Sequence, residues 1–145
     1  MREIKFRAWI IPIKKMCIVN SIEFIDKLEG RTGCNVFIDD KQTIRWYGDF
    51  QKRHILMQYT GLKDCNGVEI YEGDVVRVAN SDAGEKGKFD AITFVYWDKG
   101  GWSLPYLLNK DFDSPCAGGE WTRQLYHKPH RLTVIGNIHE NPELL

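Results

Sequence analysis

Between Gln58 and Val78 the chain sets Gly61, Gly67 and Gly73 among apolar and β-branched residues, and this stretch constrains the fold more than any other. Gly61 follows the extended run His54 to Thr60 and can take the positive φ that residues with a Cβ avoid. Asn66-Gly67, led by Asp64, suits a type I′ or related turn, where both central residues need positive φ. Glu72-Gly73-Asp74 separates Ile70-Tyr71 from Val75-Val76-Arg77-Val78. There the glycine bends the chain, and the aspartate can accept hydrogen bonds from backbone N–H groups as the next strand begins. Three reversals so close together leave room only for short strands, which are expected to pair around them. A hydrophobic pair, a Gly-Asp corner and a β-branched strand recur in small SH3-like barrels, a likeness of fold that carries no function.

The flanking segments read as β structure. Ile4, Phe6 and Ala8 alternate with Lys5, Arg7 and Trp9, as in a half-buried strand, and Pro12 interrupts the next apolar run. Met16 to Val19 is a second short strand. Residues 21–29 fit a helix face (Ile22, Ile25, Leu28, with Ser21 as N-cap) almost as well as a strand (Ile22, Phe24, Leu28), and the β-rich surroundings favour the strand. Gly30 to Gly33 is a turn, and Cys34–Ile38 with Thr43–Tyr47 forms a hairpin. Gly48 to Arg53 is a polar link.

Beyond Val78, Asn80 to Lys88 is a charged, glycine-containing loop. Phe89 to Trp97 alternates most clearly of all, with Ile92, Phe94 and Tyr96 against Thr93, Val95 and Trp97. Asp98 to Gly101 turns the chain into Trp102–Leu108, where Pro105 removes a ladder donor. Asn109 to Glu120 is a loop, and Trp121 to Tyr126 a short strand. In the strand Arg131–Ile138, Gly136 marks a bulge or a close approach. Asn141 followed by Pro142 predicts a terminal helical turn capped by Asn141.

The chain of 145 residues, 43% hydrophobic and 12% aromatic, has room for a core that needs no staples, since a chain this size buries roughly 68–70% of its unfolded surface. Its 20 basic and 20 acidic residues cancel, which removes any global field toward nucleic acid or membrane. Residues 1–60 nevertheless carry 11 basic and 7 acidic side chains, and residues 61–145 carry 9 and 13, an asymmetry suited to contacts between copies. Cys17, Cys34, Cys65 and Cys116 show no C-x-x-C pair. The N-terminus lacks a signal-peptide pattern, and no apolar run nears the roughly 20 residues that span a bilayer. These features suit a reducing cytoplasm, with the thiols mostly buried.

Candidate chemistry is sparse. His127-Lys128-Pro129-His130, with Cys116 or Asp113 nearby in sequence, is a single short pair where structural zinc sites show two. No serine lies in a G-x-S-x-G elbow, and Gly84-Glu85-Lys86-Gly87-Lys88 lacks Walker spacing. Asp39, Asp40, Glu72, Asp74, Asp111 and Asp113 all fall in expected turns, where aspartate is common for capping reasons alone. No catalytic, metal-binding or cofactor-binding set emerges. A nucleic-acid surface has one basis: Arg45, Trp46, Lys52 and Arg53, with Tyr47 among them, put a stacking aromatic beside positive charge. Against it, Trp46 shares an expected face with Ile44, as a core residue would.

Three blocks together resemble the YopX-like proteins, a family of phage and prophage proteins from low-GC Gram-positive bacteria. The first runs from Arg2 to Trp9 with Lys15-Met16 behind it. The second runs Leu56 to Asp64, then Asn66-Gly67, then Glu69 to Val76. The third is Val134 to Ile138 followed by Glu140 to Leu145. Ile10 stands where the family usually has Asp, and Cys65 replaces a typical polar residue. The span between the first two blocks and the region 80–130 are divergent.

The resemblance implies a mainly-β, phage-derived protein that self-associates, and it supplies no catalytic residues. Combined with the residues themselves, the expectation is a single domain over 1–145 that contains an SH3-like barrel centred on about 54–108 and 131–138, with extra hairpins and a short C-terminal helical turn. Its expected role is that of a non-enzymatic, oligomeric or protein-binding module in the cytoplasm of the host bacterium, with no cofactor. The alternative is a nucleic-acid-binding accessory protein of phage replication or regulation.

Overall fold

The structure, a computed structural model, describes residues 3–28, 31–38, 42–47, 54–79, 90–98, 100–105 and 131–145. Eleven strands and two short 3-10 turns account for the regular structure among them, so the fold is mainly β, and every pairing is antiparallel. The chain divides into two compact units, with the boundary between Gln58 and Tyr59.

The first unit is a meander. Strand β1 (Phe6–Ile10) turns through a 3-10 segment at Ile11–Ile13 into β2 (Lys15–Leu28), followed by β3 (Arg31–Ile38) and β4 (Gln42–Tyr47). The first half of β5 (His54–Lys63) lies on the other side of β1, giving the order β4-β3-β2-β1-β5. Pro12 fixes the 3-10 turn, and Lys14 closes it in the left-handed region at φ 49°. The ambiguous segment from Ser21 to Leu28 is strand, continuous with Met16 to Val19, so one strand of 14 residues replaces the expected short one. Gly33 lies inside β3, opposite Tyr47 on one side and Ile25 on the other, so it belongs to a strand and not to the expected turn at 30–33. The hairpin of β3 and β4 forms with Val36 opposite Ile44. Ala8 and Ile10 are buried with Cys17, Val19 and Leu56 packed against them. Trp9 is also buried although it points to the other face, so the end of β1 is covered on both sides and not half-exposed as its alternation predicts.

The second unit holds the glycine-set corners. Strand β5 continues through Gly61, whose φ of 86° accommodates a bulge between Tyr59 and Lys63, so this glycine does not reverse the chain as expected. Strand β6 (Glu69–Tyr71) returns along it, with Tyr59 opposite Tyr71. The corner at Glu72-Gly73 leads into β7 (Asp74–Ala79), the middle strand of a three-stranded sheet between β11 (Leu132–Asn137) and β8 (Asp90–Phe94). Strands β9 (Tyr96–Asp98) and β10 (Gly101–Ser103) form a hairpin that puts Trp97 opposite Trp102. The sheet core is Ile70, Val76, Val78, Val95, Trp102, Leu104 and Leu132.

The long strand expected over Phe89–Trp97 is broken at Val95. Its N–H donates to Asp74 O at 2.9 Å and its carbonyl accepts from Gly73 N–H at 2.8 Å, bonds that tie it to the corner and not to a neighbouring ladder. Among the described residues no sheet closes on itself. The sequence-predicted loops at 48–53 and 80–88, most of the return strand beyond Pro105, the loop at 109–120 and the strand at 121–126 lie outside the described residues.

Candidate functional site

Among the described residues a cluster of hydrogen bonds converges on the buried Asp64, and it is built from the turn between β5 and β6. Gly67 N–H donates to Asp64 O at 3.0 Å, and Asp64 N–H donates to Val68 O at 2.8 Å. Among the described residues Lys14 is the only non-glycine residue at positive φ, so Cys65 and Asn66 occupy a type I turn. Gly67 comes next at φ 81°, completing the three-residue hairpin loop with one left-handed glycine. The type I′ expectation is therefore corrected: only Gly67 needs the left-handed region, and Asn66 does not.

Asp64 sits at the first position of that turn, where its carboxylate can reach the N–H groups that the turn leaves unsatisfied. Oδ1 accepts from Asn66 N–H at 2.8 Å and from Val68 N–H at 2.9 Å, and Oδ2 accepts from Val134 N–H at 3.0 Å. Cys65 N–H donates to Leu132 O at 3.0 Å, so the turn is stitched to β11 twice. Burial works against ionisation and is the largest single influence on this group. The N–H groups of Val134, Val68 and Asn66 together outweigh it and hold the carboxyl below its ordinary 3.8.

The next corner repeats the device. Asp74 is fully buried and its Oδ2 accepts from Tyr71 N–H at 2.7 Å, across Gly73 at φ 75°. Thr60 Oγ1 donates to Ile70 O at 2.7 Å and accepts from Leu62 N–H at 3.2 Å beside the Gly61 bulge. At the C-terminus, Asn137 Oδ1 accepts from His139 N–H at 3.0 Å. The expected side-chain cap from Asn141 to the terminal turn does not form; its side-chain oxygen instead accepts from Asn137 N–H at 3.3 Å. Gly136 permits that arrangement, since a Cβ there would come within 2.6 Å of Asn141 Oδ1 and 2.7 Å of Leu144 Cδ1. In these contacts the side chains fix backbone geometry.

The surface offers a different kind of feature. Trp97 is 46% exposed, with its ring set edge-on to the buried Trp102 at a centroid distance of 4.8 Å. In the first unit Ile4, Ile13 and Ile18 are 70%, 61% and 75% exposed.

Of the sequence-predicted nucleic-acid residues, Arg45 and Trp46 lie on β4, opposite Asn35 and Cys34 of β3. Lys52 and Arg53 lie outside the described residues, as do His127, His130, Asp113 and Cys116. His54 is buried in β5, and His139 lies just beyond β11. Among the described residues no group of three or more His, Cys, Asp or Glu side chains could hold a metal ion. Of the thiols expected to be mostly buried, Cys17 is half-buried and Cys65 is an exposed free thiol 3.3 Å from Thr133 Oγ1. No helix among the described residues is long and apolar enough to cross a membrane.

The described residues define a structural class: a mainly-β fold whose buried polar side chains brace its corners. The YopX protein family model matches residues 5–145, and the chain belongs to that family. Two solved structures are similar over the full length: protein EF1440 from Enterococcus faecalis and protein YopX from Bacillus subtilis. EF1440 is 24% identical with a TM-score of 0.59, covering 100% of this chain and 99% of that one. YopX is 20% identical with a TM-score of 0.55, again covering 100% and 99%. At these identities the likeness is one of fold. No curated protein matches the sequence.

Proposed function

We propose that this chain is a non-enzymatic, phage- or prophage-derived module that works by protein contact in the bacterial cytoplasm, first with further copies of itself. The observation that carries this reading is Trp97: a large aromatic, nearly half exposed, packed edge-on against the buried Trp102. Tryptophan is enriched at interface anchors because it buries much apolar area with little loss of side-chain freedom. The exposed Ile4, Ile13 and Ile18 add apolar surface. Charge gives the contacts direction, since the two ends of the chain carry opposite net charge.

The finer architecture belongs to the same reading. Strand β8 breaks at Val95 and hands over to β9 at the Gly73 corner, which is how a small SH3-like barrel turns one strand into two sheets, and we assign the second unit to that type. Light scattering at several protein concentrations tests the function: a mass above one chain is expected, and a strict monomer that captures no partner contradicts it.

Nucleic-acid binding is the second reading, favoured by one placement. Arg45 and Trp46 stand on β4, the outermost strand of the first unit's meander, within the basic end of the chain. Oligonucleotide titration at low salt tests it, and an unchanged tryptophan signal counts against it.

A further inference from the structure

Asn66-Gly67 is the one Asn-Gly pair in the sequence, and the structure puts both residues in an exposed turn. We propose that this pair is a covalent self-modification site, at which Asn66 deamidates through attack by the Gly67 backbone nitrogen, and that Asp64 holds the reaction off in the folded chain. The chemistry needs only water. The Gly67 nitrogen gives up its proton and bonds to Asn66 Cγ, and the Cγ–Nδ2 bond breaks. Ammonia leaves with that proton, and a succinimide remains. Water then opens either carbonyl of the ring, giving aspartate or isoaspartate at position 66. No electron transfer is involved.

Glycine favours this attack because it presents no side chain to the approaching carbonyl, and at Gly67 an added Cβ would meet nothing within 4 Å. What restrains the attack is the turn. The Gly67 N–H is engaged with Asp64 O at 3.0 Å, so the nucleophile is tied down as a donor. In a type I turn the third residue has ψ near 0°, which turns the following nitrogen away from that residue's side chain. Attack therefore requires rotation about the Asn66 Cα–C bond, which would pull the turn open. Asp64 opposes that rotation from both sides of the Asn66–Gly67 bond: Oδ1 holds the Asn66 N–H before it and the Val68 N–H after it. Oδ2 anchors the assembly to Val134 on β11.

The product would not fit the clamp it came from. A new carboxylate beside Asp64 repels it, and the isoaspartyl form adds a carbon to the main chain of a loop closed at Asp64 and Val68. Modification thus loosens the β5–β6 turn and its tie to β11 irreversibly.

The test incubates the native full-length protein, Asp64→Ala and a linear peptide spanning Gly61 to Tyr71 at mildly alkaline pH. Residue 66 is then followed by digestion and mass spectrometry. The native protein is expected to convert on the order of tenfold or more slowly than the peptide, because local opening must come first. Asp64→Ala is expected to approach the peptide rate. If Asp64→Ala does not fold by circular dichroism, Asp64→Asn, which keeps one acceptor oxygen, takes its place and should fall between the two. Equal rates in native protein and peptide, or in a folded Asp64 variant and the native protein, overturn the proposal.

Discussion

Truncating Asp64 to alanine removes three charge-assisted hydrogen bonds at once, from Asn66, Val68 and Val134. Bonds of this kind contribute about 1.5–3 kcal/mol each when both partners are withdrawn from water. Asn66 and Val68 are exposed, so water re-satisfies their N–H groups and recovers most of that loss. Val134 lies half-buried on β11, where its N–H keeps less access to solvent. The expected loss at neutral pH is about 3 kcal/mol, most of it from Val134. The same carboxylate makes the loss pH-dependent. Because the folded chain holds Asp64 below 3.8, its contribution is complete above that value and disappears as pH falls through the lower folded one. Asp64→Ala lacks the group, so the gap between variant and wild type should narrow in acid. Urea unfolding at neutral and acid pH measures both quantities. A variant within about 0.5 kcal/mol of wild type at neutral pH, or a gap that does not change with pH, would refute the clamp.

The same structure sets three further outcomes. Gly136→Ala should cost about 1–3 kcal/mol by displacing Asn141 and Leu144, read as a lowered Tm, and an unchanged Tm contradicts the close approach. Thr60→Val keeps the shape of the side chain but leaves Ile70 O without its donor, with an expected cost of about 1 kcal/mol in denaturant unfolding. Trp102→Ala should lose about 3–5 kcal/mol, whereas Trp97→Ala should cost far less stability yet weaken self-association, a separation that paired unfolding and light-scattering measurements would show.

Alternation and turn chemistry locate most of the strands, because the side-chain period of two and the demand for positive φ are local properties. The hairpin of β3 and β4, the Gly73 corner and the bulge at Gly136 arise from residues a few positions apart. The break at Val95 does not, since Phe94, Val95 and Tyr96 continue an uninterrupted β pattern. What stops the strand is a pair of hydrogen bonds to Gly73 and Asp74, distant in sequence. The burial of Trp9 was hidden for the same reason: alternation reports one covered face and cannot announce a second.

The Asp64 cluster was half visible. Aspartate two residues before Asn-Gly signals a type I turn with a left-handed glycine behind it, and a stricter reading of that spacing would have replaced the type I′ expectation. The bond to Val134 was out of reach, because nothing near Asp64 in the chain says which strand its second oxygen will meet. The surface chemistry was least accessible. Trp97 and Trp102 are both tryptophans on strands five residues apart, and only the packing of the core decides which one faces solvent.

Sedimentation velocity across a range of protein and salt concentrations tests the central claim, that this module works by contact with copies of itself. An assembly larger than one chain at low salt, dissociating as salt screens the opposed charges, is the predicted result. A single species with the mass of one chain at every concentration and salt would contradict it.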